Sequence, residues 1–126
     1  MEIEFYGAAR EVTGSCHILR VNGKVVILDC GMFQGRRSES TAKNKTLPVA
    51  IAEIDAVVLS HAHIDHSGRL PYLVRKGYSK SIFATSATRD LCAVMLADSA
   101  HIQASDAKHL AKNHKQFVEP LYTMQD

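Results

Sequence analysis

Apolar positions along this chain fall into short alternating runs near the front and a long run of helical period near the back. Residues 2–6 alternate polar and apolar side chains, the pattern of a strand with one buried face. Two further apolar runs, 15–21 and 24–29, are separated by Asn22-Gly23. A two-residue hairpin turn needs positive φ at both positions, which Asn and Gly tolerate, so the opening is predicted to be a small antiparallel meander. Residues 38–46 are polar and weakly patterned and read as an exposed connection. Pro48 starts a short helical turn at most, and 55–60 reads as a buried strand. Residues 70–76 have helical character ending at Gly77, a C-cap residue, and 80–85 form another strand. From about 88 to about 115 the period is near 3.6: Leu91, Val94, Met95, Asp98 and Ile102 share a stripe that is expected to be core. This run is either one long helix or two broken near Ser105-Asp106. Strands alternating with helices predict an α/β (or α+β) class. Thr123, three residues before Asp126, resembles a capping box, so the chain is expected to be a fragment that stops at the first turn of a new helix.

Composition narrows the partners. With 126 residues, 46% of them hydrophobic, the chain has the size of one globular domain able to bury a core. A net charge of +2 is too mild for a protein that coats nucleic acid, so any RNA recognition must come from local features. The cysteines, Cys16, Cys30 and Cys92, are odd in number and widely separated. They fit neither a disulfide framework nor a CxxC zinc ribbon, and read as reduced, buried thiols of a cytoplasmic protein. The start, MEIEFYGAAR, is unlike a signal peptide, and no apolar run approaches a membrane span.

Chemistry concentrates in six residues, His61-Ala62-His63-Ile64-Asp65-His66, directly after a predicted buried strand. Imidazole and carboxylate are ligand types that zinc accepts. His61 and His63, two apart on an extended backbone, can aim at one ion. Asp65 and His66, where the chain turns, can aim at a second. Two ions roughly 3.5–4 Å apart would clamp the attacking and leaving oxygens of a displacement, and would acidify a water between them towards a pKa of roughly 7. Asp65 is placed to hold that water in line and is the candidate catalytic residue.

The stretch HAHIDHSG matches the HxHxDH motif of the metallo-β-lactamase superfamily, and LDCGMFQG resembles that superfamily's first motif, an aspartate closing a strand. GAAREVTGSCHIL and SIFATSATRDLCAVMLADSA resemble the β-CASP ribonucleases, which include ribonuclease J relatives, archaeal cleavage factors and the endonuclease subunit of eukaryotic pre-mRNA 3′-end processing. The resemblance covers essentially the whole chain. It implies the first half of an αββα sandwich, with residues 1–126 as the N-terminal part of the domain and the β-CASP insertion lying outside it. It implies that His61 and His63 bind one Zn2+, that Asp65 and His66 serve a second, and that Asp29 supports the site by hydrogen bonding to a ligating histidine. A complete site also needs a third histidine and a bridging aspartate from later in such a protein. His101, His109 and His114 do not match those motifs and read as surface or helix-packing histidines. The chain by itself is therefore expected to be inactive, and the parent to hydrolyse RNA phosphodiesters.

Weaker signals surround this core reading. Arg36 and Arg37, expected on the same side of the sheet as the histidine loop, are candidates for phosphate contact, although charged loops are mostly solvated. Lys108, Lys112 and Lys115 make a basic helix face without interleaved aromatics, which reads as solvation. Two other functions share the motif: hydrolysis of a thioester, lactone or β-lactam, and a non-catalytic scaffold in an RNA-processing complex. A half sandwich would also expose an apolar sheet face, through which the chain is expected to self-associate.

Overall fold

The computed structural model describes residues 1–126. Strands β1 (Glu2–Gly7), β2 (Cys16–Val21) and β3 (Lys24–Leu28) form the expected antiparallel meander. The turn between β2 and β3 has φ of 50° at Asn22 and 72° at Gly23, the doubly positive geometry that follows the sheet's own twist. Strands β4 (Ala56–Val58) and β5 (Ile82–Phe83) then add in parallel, giving one five-stranded sheet in the order β1-β2-β3-β4-β5.

Register divides the sheet into a covered and an open face. Ile18, Ile27 and Val57 pair side by side and are 0%, 2% and 0% exposed. They pack against Leu70 and Leu73 of α3 (Leu70–Arg75), against Cys92 of α4 (Ser86–His114), and against Tyr78 and Ile54. On the opposite face Phe5, His17, Leu28, Val58 and Phe83 line up across all five strands. Phe5 remains 63% and Phe83 56% exposed, because no element of the chain lies over them.

Two expectations are corrected. Residues expected to form a polar connection are instead the helix α1 (Arg37–Lys45). This helix has no apolar stripe because it docks through polar contacts. Asn44, buried, accepts from the Phe33 N–H at 2.8 Å and donates to the Phe33 carbonyl at 2.9 Å, while Lys43 pairs with Glu11. Glu39 in its first turn and Lys43 and Lys45 in its last also complement the helix dipole. The second correction concerns α4, a single helix whose first turn is capped by Thr85, which accepts from the Thr88 N–H. Most of the stripe read as core faces outward: Leu91, Val94 and Ile102 are 57%, 70% and 51% exposed, and only Met95 packs against the core. Its buried side carries Thr88, Cys92 and Ala100. Small side chains let the helix lie close to its neighbours, and alanines spread around it leave the period unable to choose between faces.

One buried charge had no signal in the sequence. Arg69 is 0% exposed. Its Nε–H donates to the Gly31 carbonyl at 2.6 Å and its Nη1 to the Thr46 carbonyl at 2.8 Å, with the guanidinium 4.8 Å from the Phe33 ring centre. It ties the end of α1 to the loop after β3 through carbonyls that would otherwise be buried unpaired. The three cysteines are free and buried, as expected. A hydrogen bond shared with Cys30, followed by burial, holds the Cys16 thiol above its ordinary range.

Candidate metal centre

Parallel pairing of β3 and β4 brings two strand ends side by side, and every candidate ligand emerges there. In α/β sheets this carboxyl edge is where ligands bind. After Leu28 the chain turns through Asp29, whose φ of 60° is unusual for a residue other than glycine. After Val58 it passes Leu59, Ser60 and His61, then enters the short helix α2 (Ile64–Ser67) at His63.

Backbone bonds sew these two loops together. The Ser15 N–H donates to the Asp65 carbonyl (2.8 Å), the Cys30 N–H to that of His66 (2.8 Å) and the Met32 N–H to that of Ile64 (2.9 Å). The Arg69 N–H returns the bond to the Cys30 carbonyl at 2.8 Å. Approach this close requires a missing side chain at Gly31, where a Cβ would lie 1.6 Å from the Asp65 carbonyl oxygen. The histidine loop therefore has little freedom to drift from Asp29.

The four candidate ligands come together at one sheet edge, as two pairs. His61 Nε2 and His63 Nδ1 are 3.2 Å apart. Two nitrogens bound to one tetrahedral zinc at about 2.05 Å would be separated by about 3.3 Å, a spacing close to that of this pair. His66 Nε2 lies 3.6 Å from Asp65 Oδ2, a somewhat wider pair. The rings of His61 and His66 are 4.0 Å apart, which places the pairs side by side. No three His, Cys, Asp or Glu side chains converge on one point, so neither pair is a complete coordination sphere.

Asp29 sits where the first-motif aspartate was expected to act. It is 7% exposed, and its Oδ2 is 2.7 Å from His66 Nδ1. A carboxylate only accepts, so Nδ1 carries a proton, and Nε2 is the nitrogen turned towards Asp65. Reading the sequence missed Ser60. Its N–H donates to Asp29 Oδ1 at 2.7 Å and its hydroxyl to Oδ2 at 2.8 Å, and that hydroxyl oxygen is 2.9 Å from His61 Nδ1. Serine before a histidine carries no spacing signal, since its partner is 31 residues away.

The remaining candidates lie elsewhere. Arg36 and Arg37 are exposed at the start of α1, and Arg37 comes within 3.9 Å of Asp106 on α4 and makes no bond to the histidine loop. His101, His109 and His114 are exposed on α4, with His109 bonded to Asn113. Lys108, Lys112 and Lys115 are exposed too.

The sheet edge thus presents paired imidazoles and a carboxylate beside a buried aspartate. The chain belongs to the metallo-β-lactamase superfamily, whose family model matches residues 9–82. Its curated relatives include members of the β-CASP ribonuclease family. The chain is 48% identical over 102 residues to the ribonuclease TTHA0252 of Thermus thermophilus, covering 81% of this chain and 23% of that protein. It is 34% identical to the probable RNase MJ4 of Methanocaldococcus jannaschii over 96% of this chain and 27% of the relative. It is also 31% identical to the transcription termination factor FttA of the same organism, over 91% of this chain and 18% of the relative. The chain thus spans about a quarter or less of the length of these relatives. The family is typically metal-dependent.

Proposed function

We propose that the protein to which this chain contributes is a zinc-dependent ribonuclease, with His61 and His63 holding one ion and Asp65 and His66 a second. The observation that carries the reading is the 3.2 Å separation of His61 Nε2 and His63 Nδ1 beside a His66 ring whose Nδ1 is held by Asp29. When bound, paired divalent cations supply Lewis acidity and bring a water's pKa towards about 7. The chain's own residues do the rest. Asp29 holds His66 with Nε2 turned to the pocket, the backbone ladder across Gly31 keeps the loop rigid, and Asp65 stands ready to orient the attacking water. The RNA substrate is favoured over a thioester, lactone or β-lactam by the ribonuclease names of the most similar relatives. Arg36 and Arg37, both exposed, are available to phosphate. Three unpaired thiols support a reducing compartment, the cytoplasm.

We read residues 1–126 as the N-terminal part of the metallo-β-lactamase domain, with further ligands supplied by sequence outside it. Two ligands per ion fall short of the three that catalytic zinc sites use. The chain alone is therefore expected to bind zinc only weakly, with a dissociation constant above about 1 μM in a competition titration, and to leave RNA uncut. Tight stoichiometric zinc with turnover would overturn this division of the site.

The open sheet face supports a partner for the chain as given, namely a second copy. Phe5, Val58 and Phe83 form an exposed apolar row of the kind that seeks cover. Multi-angle light scattering is expected to give a mass of twice 13.9 kDa or more. A clean monomer at the highest soluble concentration would refute it.

A further inference from the structure

Both histidine pairs are tied to one buried carboxylate, and the link to the first pair runs through Ser60. We infer that Ser60 is a positioning residue. It fixes the tautomer of His61 by accepting from Nδ1–H while its own hydroxyl donates to Asp29, so that one aspartate sets the metal-facing nitrogen of His61 and His66 together. The inference rests on the metal-centre reading for its purpose and on hydrogen-bond counting for its content.

Asp29 is acceptor-only: Oδ1 takes the Ser60 N–H at 2.7 Å, and Oδ2 lies 2.8 Å from the Ser60 hydroxyl and 2.7 Å from His66 Nδ1. A hydroxyl has one proton, and a carboxylate is a stronger acceptor than an imidazole nitrogen, so that proton is committed to Asp29. Ser60 then meets His61 Nδ1, 2.9 Å away, with a lone pair, and Nδ1 must be the donor. His61 Nε2 is left bare, facing His63 Nδ1 at 3.2 Å. Without metal His63 donates across that gap, which completes a chain running His63, His61, Ser60, Asp29, with His66 joining from the other side.

Histidine tautomers are read directly by long-range ¹H–¹⁵N correlation of the imidazole rings on the metal-free chain, in alkaline buffer where imidazole is neutral. The expected wild-type pattern is a proton on Nδ1 of both His61 and His66. Ser60→Ala is expected to release His61 into a mixture of tautomers while His66, still bonded to Asp29, keeps its pattern. Ser60→Thr, which restores the hydroxyl, is expected to restore His61. Loss of general structure would disturb both rings alike and would not be repaired by threonine alone. A wild-type His61 protonated on Nε2, an unchanged His61 in Ser60→Ala, or equal disturbance of His61 and His66 would each overturn the proposal. Because the measurement uses no metal, its failure is separate from failure of the ribonuclease reading, which is tested by activity in a complete enzyme. In such an enzyme Ser60→Ala is expected to weaken zinc about 10–100-fold, the usual effect of removing a partner behind a ligating histidine.

Discussion

Gly31→Ala is expected to unfold the site and most of the domain with it. An added Cβ would lie 1.6 Å from the Asp65 carbonyl oxygen, 2.2 Å from its carbon and 2.8 Å from the His66 nitrogen. All three are backbone atoms, so no side chain can swing away to relieve the overlap. Separation of the loops would break bonds running from Ser15 to Asp65, from Cys30 to His66 and from Met32 to Ile64, all at 2.8–2.9 Å, and would strand buried peptide groups. Overpacking together with these losses is expected to cost about 3–5 kcal/mol. A whole domain of this kind is stable by about 5–15 kcal/mol, so the variant should be largely unfolded or have its urea midpoint reduced by a third or more. The measurement is a pair of urea melts followed by circular dichroism. Coincident curves for wild type and Gly31→Ala would mean that the histidine loop does not lie where the structure puts it.

Removal of His63 is expected to spare the fold and destroy the chemistry. His63 is exposed at the entrance to α2, and its ring touches only His61, so deletion to alanine should change stability by about 0.5 kcal/mol or less. Activity needs a complete site, which is obtained by substituting this chain for the matching segment of the Thermus ribonuclease, to which it is 48% identical. The chimera is expected to cut RNA, and its His63→Ala form to lose at least about 10³-fold in kcat/KM, some 4 kcal/mol of transition-state stabilisation. His101→Ala, on the exposed side of α4, should leave the rate unchanged. An active chimera indifferent to His63→Ala would remove the metal assignment and favour a scaffold. A chimera that releases thiol from a thioester in place of cleaving RNA would move the substrate to the competing hydrolases.

The relation between these outcomes and the sequence differs from residue to residue. Asp29 was legible because an aspartate closing an apolar run before a glycine loop is a recognisable pattern, and the structure sets its Oδ2 2.7 Å from His66 Nδ1. Ser60 and Arg69 were not legible. Their partners lie 31 and 38 positions away, and nothing local distinguishes a serine or arginine with such a partner from one without. Helix α1 escaped notice because it is anchored by polar contacts, the Asn44 amide and the Lys43 pair with Glu11 among them, and a helix held this way has no apolar period to detect.

What the sequence determined by itself is local: the Asn22-Gly23 hairpin, the strand and helix periods, and the clustering of His61, His63, Asp65 and His66 within six residues. Each is enforced by neighbours a few bonds away, through φ preferences, side-chain period and short covalent reach. Only the tertiary structure decided which face of α4 is buried, that Gly31 must be bare, and that His66 directly and His61 through Ser60 are linked to one buried carboxylate. Those features depend on which surfaces meet. Alanine-rich helix faces are nearly equivalent until a sheet chooses one, and a hydrogen bond across 30 residues exists only once β3 and β4 have paired.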